Sequence, residues 1–247
     1  MKTVLITGCS SGFGLETARY FLDRGWSVAA TMRTPREDVL PRSEHLRVIP
    51  LDVTNQMSIE QAVAAAGPID VLVNNAGIGW LNAFEGTPLE IIRQTFETNT
   101  FGTMAMTQAV LPQFRERRSG TIVNVTSSVT LKPLHLLSTY TASKAAVNAF
   151  SEVLALELEP FAVRVRVVLP GRAPETSFSR NAMARSQDGI PEAYAGLAQR
   201  VFASWQQDTG RTTHANDVAR AIWRAATDPA CPMRLAAGAD AAALMPN

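Results

Sequence analysis

Tyr140 and Lys144 stand four positions apart in Tyr140-Thr141-Ala142-Ser143-Lys144. In a helical stretch this spacing puts both side chains on one face. A free phenol titrates near 10 and is a poor base at neutral pH, but a neighbouring ammonium favours its phenolate. The pair can therefore act as an acid–base couple, although Tyr and Lys at this spacing also recur on solvent-facing helices. Ser127 follows a strand pattern over 120–125 (GTIVNV) and can meet the same point from the sheet side. A serine pair after a strand also serves simply as a turn. Asn99 lies inside a long helical pattern over 88–117.

A second group of residues has the composition of an anion cradle. The strand pattern 3–6 (TVLI) runs into Thr7-Gly8-Cys9-Ser10-Ser11-Gly12-Phe13-Gly14, where a helix pattern over 12–24 begins, stopped by Gly25. Glycines at a strand-to-helix turn let the backbone bend tightly and approach a pyrophosphate, and the helix start offers unpaired N–H groups to its charge. The spacing G-x-x-x-G-x-G departs from the G-x-G-x-x-G dinucleotide fingerprint. Such glycines also occur for packing alone.

The end of the second strand pattern, 26–32, is informative through what it lacks. Folds that bind NAD place an Asp or Glu there for the ribose 2′-hydroxyl. Here the strand closes on Thr31-Met32-Arg33-Thr34. A carboxylate would repel a 2′-phosphate, whereas a guanidinium holds one in a charge-assisted fork. NADP(H) is expected over NAD(H), with Arg33 as the phosphate ligand and Ser10 or Ser11 assisting. The alternative is that Arg33 simply projects into solvent or stacks on the adenine. Asp52-Val53 follows the third strand pattern, with Asp52 suited to accept from an adenine amino group. Asn74-Asn75-Ala76-Gly77 follows the fourth. An amide such as Asn74 either faces the ligand crevice or ties neighbouring strands together.

The elements that must position these residues alternate along the whole chain. Further strand patterns cover 46–51, 69–73, 163–169 and 233–237, and further helix patterns cover 56–66, 138–159 and 214–227. Most strands are continuous Val/Ile/Leu runs, the signature of parallel strands buried on both faces. The alternation predicts one α/β domain over 1–247, a doubly wound parallel sheet of about seven strands with helices on both faces. Ligands in such sheets bind beyond the C-terminal strand ends. Only 172–213 breaks the alternation; it carries Phe178, Met183, Tyr194, Phe202 and Trp205, and is expected as a substrate loop or lid, or else a helix pair packed on the core.

Composition excludes several classes. Of 247 residues, 46% are hydrophobic and 18% charged, which is incompatible with a disordered chain. A net charge of +1 gives no basic footprint for nucleic acid. Two cysteines, Cys9 and Cys231, make no disulfide framework and show no metal spacing. No metal site is expected. The first apolar run is too short for a signal peptide and no run suits a membrane span, so a cytoplasmic location is expected.

Taken together, these residues resemble the short-chain dehydrogenase/reductase family along nearly the whole chain. Thr7-Gly8-x-x-x-Gly12-x-Gly14, Asn74-Asn75-Ala76-Gly77, Asn99, Ser127, Tyr140-x-x-x-Lys144 and Pro170-Gly171 stand in the family's order. The resemblance implies a Rossmann-type oxidoreductase with an Asn99–Ser127–Tyr140–Lys144 tetrad beside a nicotinamide. Tyr140 would be the general acid in ketone reduction and the base in alcohol oxidation. Ser127 would bind the reacting oxygen. Lys144 would hold the nicotinamide ribose and lower the phenol's pKa. Asn99 would interrupt its helix and hold a water serving Lys144. Pro170-Gly171 and Thr176 match the family's carboxamide contact, in a loop one residue longer than the common form.

The stretches 29–33 and 234–238 look similar to the branch containing 17β-hydroxysteroid and retinol dehydrogenases. That similarity implies a hydrophobic ketone or secondary alcohol as the small-molecule substrate, with His135 at a pocket rim or packed. His45 and His214 are expected at the surface, His214 near a helix start. Relatives pair the helices corresponding to 88–117 and 138–159, which implies a homodimer or homotetramer. The face carrying Ala142, Ala145, Ala146 and Ala149 suits such packing, or packing on its own sheet. Two other functions compete: a dehalogenase on the same fold, and a nucleotide sensor without turnover. The intact glycine turn, Tyr140 and Lys144 argue against both.

Overall fold

The computed structural model describes residues 1–36, 38–186, 189–207 and 210–245. In chain order the elements are β1 (Thr3–Ile6), α1 (Gly12–Leu22), β2 (Ser27–Met32), β3 (Leu46–Pro50), α2 (Gln56–Ala66) and β4 (Val71–Asn74). These are followed by α3 (Leu89–Phe96), α4 (Gly102–Arg117), β5 (Gly120–Val125), α5 (Ser138–Leu158) and β6 (Val163–Pro170). The last are α6 (Ser177–Ser186), α7 (Ala195–Gln207), α8 (Ala215–Thr227), β7 (Arg234–Ala237) and α9 (Ala239–Ala242). The seven strands form one sheet in the order β3-β2-β1-β4-β5-β6-β7, and every pairing is parallel. This is the doubly wound Rossmann-type architecture that the strand–helix alternation predicts. The order reverses between β1 and β4, where a crevice opens at the strand ends.

The continuous apolar strand runs have the expected cause. In β1, Val4 and Ile6 pack into the layer beneath α1 and α8, while Leu5 enters the layer beneath α2, α4 and α5. All three side chains are fully buried, so alternation of character along the strand would have no use.

The pattern over 88–117 reads as one helix but is interrupted. A wide π-helical turn over Glu97–Phe101 separates α3 from α4. Asn99 sits in that turn, fully buried. Its Oδ1 accepts from the Ile78 N–H at 2.8 Å, and its Nδ2 donates to the Ile78 carbonyl at 2.9 Å and to Ser143 Oγ at 3.0 Å. Three side-chain bonds to another part of the chain set the local backbone, and π turns often occur at such places.

The departure at 172–213 resolves into α6 and α7, with residues 187, 188, 208 and 209 outside the described set. Tyr194, Leu197, Phe202 and Trp205 build a small apolar cluster around Ala198 and Val201, seated on Ala83 and Leu136. On α5, Ala142, Ala145 and Ala149 face outward, in line with Val153 and Leu156, which are 57% and 71% exposed. Among the described residues no helix is long and apolar enough to cross a membrane.

Candidate active site

A cavity of about 1100 Å³ crosses the C-terminal ends of β1 to β5. Its lining runs from Arg33 and Asp52 on one flank, past the glycine turn and residues 75–80, to Tyr140 and Lys144 on the other.

The glycine turn is held by side chains of its own strand neighbours. Thr7 Oγ1 accepts from the Asn75 and Ala76 N–H groups, both at 2.9 Å. Asn75 Nδ2 donates to the Thr7 carbonyl at 2.9 Å and the Gly8 carbonyl at 3.2 Å. Gly14 lies so close beneath this knot that a Cβ there would stand 2.3 Å from the Gly8 oxygen and 2.5 Å from Asn75 Nδ2. Gly14 therefore packs α1 onto the turn rather than lining the cavity, whereas Gly8, Ser10, Ser11, Gly12 and Phe13 line it. Ser11 precedes α1 in extended backbone with no side-chain cap, and the first turn of α1 holds no acid. The helix start thus presents free N–H groups and an uncompensated dipole to the cavity.

Gly14→Ala is expected to cost about 1–3 kcal/mol through overpacking against backbone. In thermal melts the midpoint should fall by several degrees. Gly196→Ala, whose added Cβ would meet only Arg200 Nη1 at 3.7 Å, should be neutral or stabilising. Equal midpoints for the two variants would count against this packing.

At the far flank Arg33 is exposed on the cavity wall beside Asp52 and Val53. Asp52 Oδ1 accepts from Thr54 N at 2.9 Å and Thr54 Oγ1 at 2.8 Å. The Thr54 N–H, then its hydroxyl and the Arg33 charge, hold the Asp52 carboxyl below its ordinary range against partial burial. A guanidinium and a carboxylate thus share one flank.

On the reacting flank, α5 carries Tyr140 and Lys144, both buried. Ser127, extended at the end of β5, hydrogen-bonds the phenol. Lys144 Nζ donates to the Val125 carbonyl at 3.0 Å, one of three bonds an ammonium can make. Ser143, between them in sequence, donates to the Tyr140 carbonyl at 2.7 Å and links α5 to Asn99. A Cβ on Gly77 would lie 3.1 Å from Asn99 Oδ1 and 3.4 Å from Lys144 Nζ. The missing side chain leaves a recess bounded by an amide oxygen and an ammonium, and its polarity suits ribose hydroxyls. A nicotinamide dinucleotide fits this donor set: anion-binding backbone in the middle, a guanidinium at one flank, a polar recess at the other.

The two ionisations differ from the sequence expectation. Burial pushes the Tyr140 phenol up to about 12, opposed by the Ser127 hydrogen bond, and Lys144 is not among the causes that shift it. Burial pulls the Lys144 ammonium down to about 8. Desolvation outweighs the attraction that spacing alone suggests, so the Tyr140 phenol keeps its proton at pH 7.

Several other expected contacts take a different form. Asn74 is a strand tie: its Nδ2 donates to Thr107 Oγ1 at 3.1 Å and Asn124 Oδ1 at 2.9 Å, and it does not line the cavity. Ala76 and Gly77 do line it. Pro170 and Gly171 lie off the wall, while Thr176 reaches it. Thr176 Oγ1 donates to the Ala173 carbonyl at 2.8 Å, and its Cβ stands 3.9 Å from where a Gly12 Cβ would be. It therefore arches over the glycine turn. Asn99 and Ser127 do not line the cavity. His135 is exposed and away from the lining; His45 and His214 are at the surface, with His214 capping α8.

Sequence reasoning did not single out Thr7 and Asn75 as the clamp of the glycine turn. Nor did it place Phe178, whose ring centroid lies 5.7 Å from that of Tyr140. The clamp residues stood inside the quoted motifs; Phe178 carried no signal beyond its aromatic character. Among the described residues no group of His, Cys, Asp and Glu has metal-binding geometry.

The chain has relatives among known proteins over most of its length. The family model for short chain dehydrogenases matches residues 2–187. A 3-ketodihydrosphingosine reductase from Bacteroides thetaiotaomicron is 36% identical over 241 residues, covering 96% of this chain and 88% of that protein. Retinol dehydrogenase 8 from Homo sapiens is 38% identical over 181 residues, 69% of this chain and 58% of its own length. The closed form of serine dehydrogenase complexed with NADP+ superposes with a TM-score of 0.81 at 32% identity, covering 96% of this chain and 94% of that one. With the glycine turn, the Tyr140–Ser127 pair and the Lys144 recess on one sheet edge, this chain belongs to the short-chain dehydrogenase/reductase family of NAD(P)-dependent oxidoreductases.

Proposed function

We propose that this oxidoreductase reduces hydrophobic ketones, and oxidises the matching secondary alcohols, with NADP(H) as its nicotinamide cofactor. The observation that carries the reading is the buried phenol of Tyr140, protonated, hydrogen-bonded to Ser127 and one helical turn from a buried ammonium. A bound nicotinamide dinucleotide supplies hydride chemistry. The chain supplies the proton and the electrostatics. Tyr140 Oη donates its proton to the carbonyl oxygen as negative charge develops there, and Ser127 holds that oxygen by a second hydrogen bond. Lys144, facing the Gly77 recess, holds ribose hydroxyls and returns a proton to the phenolate. Asn99 fixes the Ile78 backbone and Ser143, and so the mutual placement of the recess and α5.

Arg33 supports the NADP(H) preference, since it lies on the flank where an NAD-specific site would carry an acid. The lining includes Ile78, Trp80, Ile91 and Phe178, and the Phe178 ring stands beside Tyr140, which supports a hydrophobic substrate. The names of two relatives, a 3-ketodihydrosphingosine reductase and a retinol dehydrogenase, point the same way. We read α6 and α7 as the lid of that wall. Pairing of copies would cover the outward stripe of α5.

The test is NADPH fluorescence titration followed by NADPH oxidation with long-chain ketones, aryl ketones, retinoids and steroids. Turnover with apolar ketones is expected, and NADPH binding with no turnover on any of them would favour the nucleotide sensor. Lys144 is a cation below its pKa of about 8 and neutral above it. For ketone reduction kcat/KM should therefore be level in mildly acid and neutral solution and fall as pH rises through about 8. A profile that stays level to pH 10 would remove Lys144's charge from the mechanism.

A further inference from the structure

The chain leaves the sheet at β6 for the excursion that carries Thr176 and Phe178, and returns to it before α8. We propose that Asp240, far along the sequence at the start of α9, is the positioning residue that ties the two ends of this excursion together. Its carboxylate thereby sets where Thr176 and Phe178 stand against the cavity. Asp240 Oδ2 accepts from the Arg172 N–H at 2.7 Å, and Asp240 Oδ1 lies 2.6 Å from Thr213 Oγ1, which donates to it. Residues 172 and 213 also bond directly, Thr213 N to the Arg172 carbonyl at 2.8 Å. Thr213 Oγ1 in turn accepts from the Gly171 N–H at 3.1 Å. One carboxylate and one hydroxyl thus hold the exit and the return of the excursion, and Thr213 is buried.

This arrangement gives Gly171 a cause of its own. A Cβ at that position would stand 2.2 Å and 2.3 Å from the two Asp240 carboxylate oxygens. The glycine makes room for Asp240, not for a ligand, since Gly171 does not line the cavity. From this anchor the chain takes only a short path to the site. The Ala173 carbonyl accepts from Thr176 Oγ1 at 2.8 Å and Ser179 Oγ at 2.9 Å, which fixes the start of α6. Phe178 then meets the ring of Tyr140. Asp240 touches neither the cavity wall nor Tyr140, so its effect passes through the backbone of 171–173.

The hydrogen-bond inventory singles out a conservative replacement. In Asp240→Asn the amide oxygen can still accept from the Arg172 N–H. Its NH₂ can donate to Thr213 Oγ1, whose own proton can turn to the Ala237 carbonyl, 3.0 Å away. Asp240→Ala has no such substitute. The kinetic part of the test rests on the reductase reading above; the exchange part does not.

The experiment measures amide hydrogen exchange on the full chain, with ketone kinetics in parallel. In Asp240→Ala, amides of 171–180 should exchange roughly ten-fold faster or more, as the loss of hydrogen bonds to a charged group implies. Exchange in β1 and α1 should not change. KM for the ketone and the NADPH Kd should both rise, since Phe178 borders Tyr140 and Thr176 overlies the glycine turn, with kcat within about three-fold. Asp240→Asn should restore both readouts, and Thr213→Val should reproduce the local exchange change if Asp240→Ala folds poorly. Unchanged exchange over 171–180, failure of the asparagine to rescue, or a uniform rise through β1 and α5 would each overturn the proposal. A wild-type chain without turnover would overturn only the reductase reading, and the exchange data would still decide the role of Asp240.

Discussion

Tyr140→Phe is expected to lower kcat for ketone reduction by about 10²–10⁴-fold, the usual contribution of a positioned proton donor. NADPH binding should remain within about two-fold of wild type, because a phenyl ring fills the same space and Lys144 is untouched. The side chain is 8% exposed, so water has little access from which to replace the lost proton. The phenylalanine also keeps the ring contact with Phe178, and Ser127 Oγ still accepts from the Val129 N–H at 3.3 Å. The loss should therefore fall on kcat, with KM little altered, the pattern of an interaction made in the transition state. Steady-state kinetics beside a fluorescence titration of the same protein separate the two quantities. A variant with near-normal kcat would show that the reacting oxygen takes its proton from elsewhere.

Arg33→Asp should change the cofactor, not the chemistry. A guanidinium–phosphate contact is worth about 1.5–3 kcal/mol as a charge-assisted hydrogen bond. Replacing it by a carboxylate adds repulsion to that loss, on a flank already holding Asp52, whose charge Arg33 now helps to stabilise. Together these should lower the NADP/NAD ratio of kcat/KM by about 10²-fold or more. Most of that change should be lost affinity for NADP(H), with some gain for NAD(H) through a new acceptor for the ribose hydroxyl. Arg33 is exposed at the end of a strand whose last residues, Thr31 and Met32, are buried. Stability should therefore stay within about 0.5 kcal/mol. An unchanged ratio would mean that the guanidinium does not read the 2′-phosphate.

The β1 run was legible because burial on both faces favours an apolar side chain at every position of a central parallel strand. Val4, Leu5 and Ile6 alternate between two apolar layers without changing character. The position of Tyr140 and Lys144 on one helix face was legible for a similarly local reason, the helical repeat. Asn74 shows where local reading stopped. Its place after β4 suited a ligand contact or a strand tie equally, and only Thr107 and Asn124, from α4 and β5, decide for the tie. The break at Asn99 was not readable from periodicity, since it is made by the Ile78 backbone and Ser143.

By itself the sequence determined the order of elements, the parallel sheet and the residue types available at each strand end, because these follow from hydrophobic period and turn chemistry over short windows. The tertiary structure alone decided the ionisation of the couple. Neighbour spacing suggests an eased phenol, whereas the water excluded by packing around α5 leaves Tyr140 protonated and Lys144 easily discharged. It also decided which backbone the late residue Asp240 would grip. Desolvation and long-range hydrogen bonds depend on which distant surfaces close over a group, and no local window of sequence contains that information.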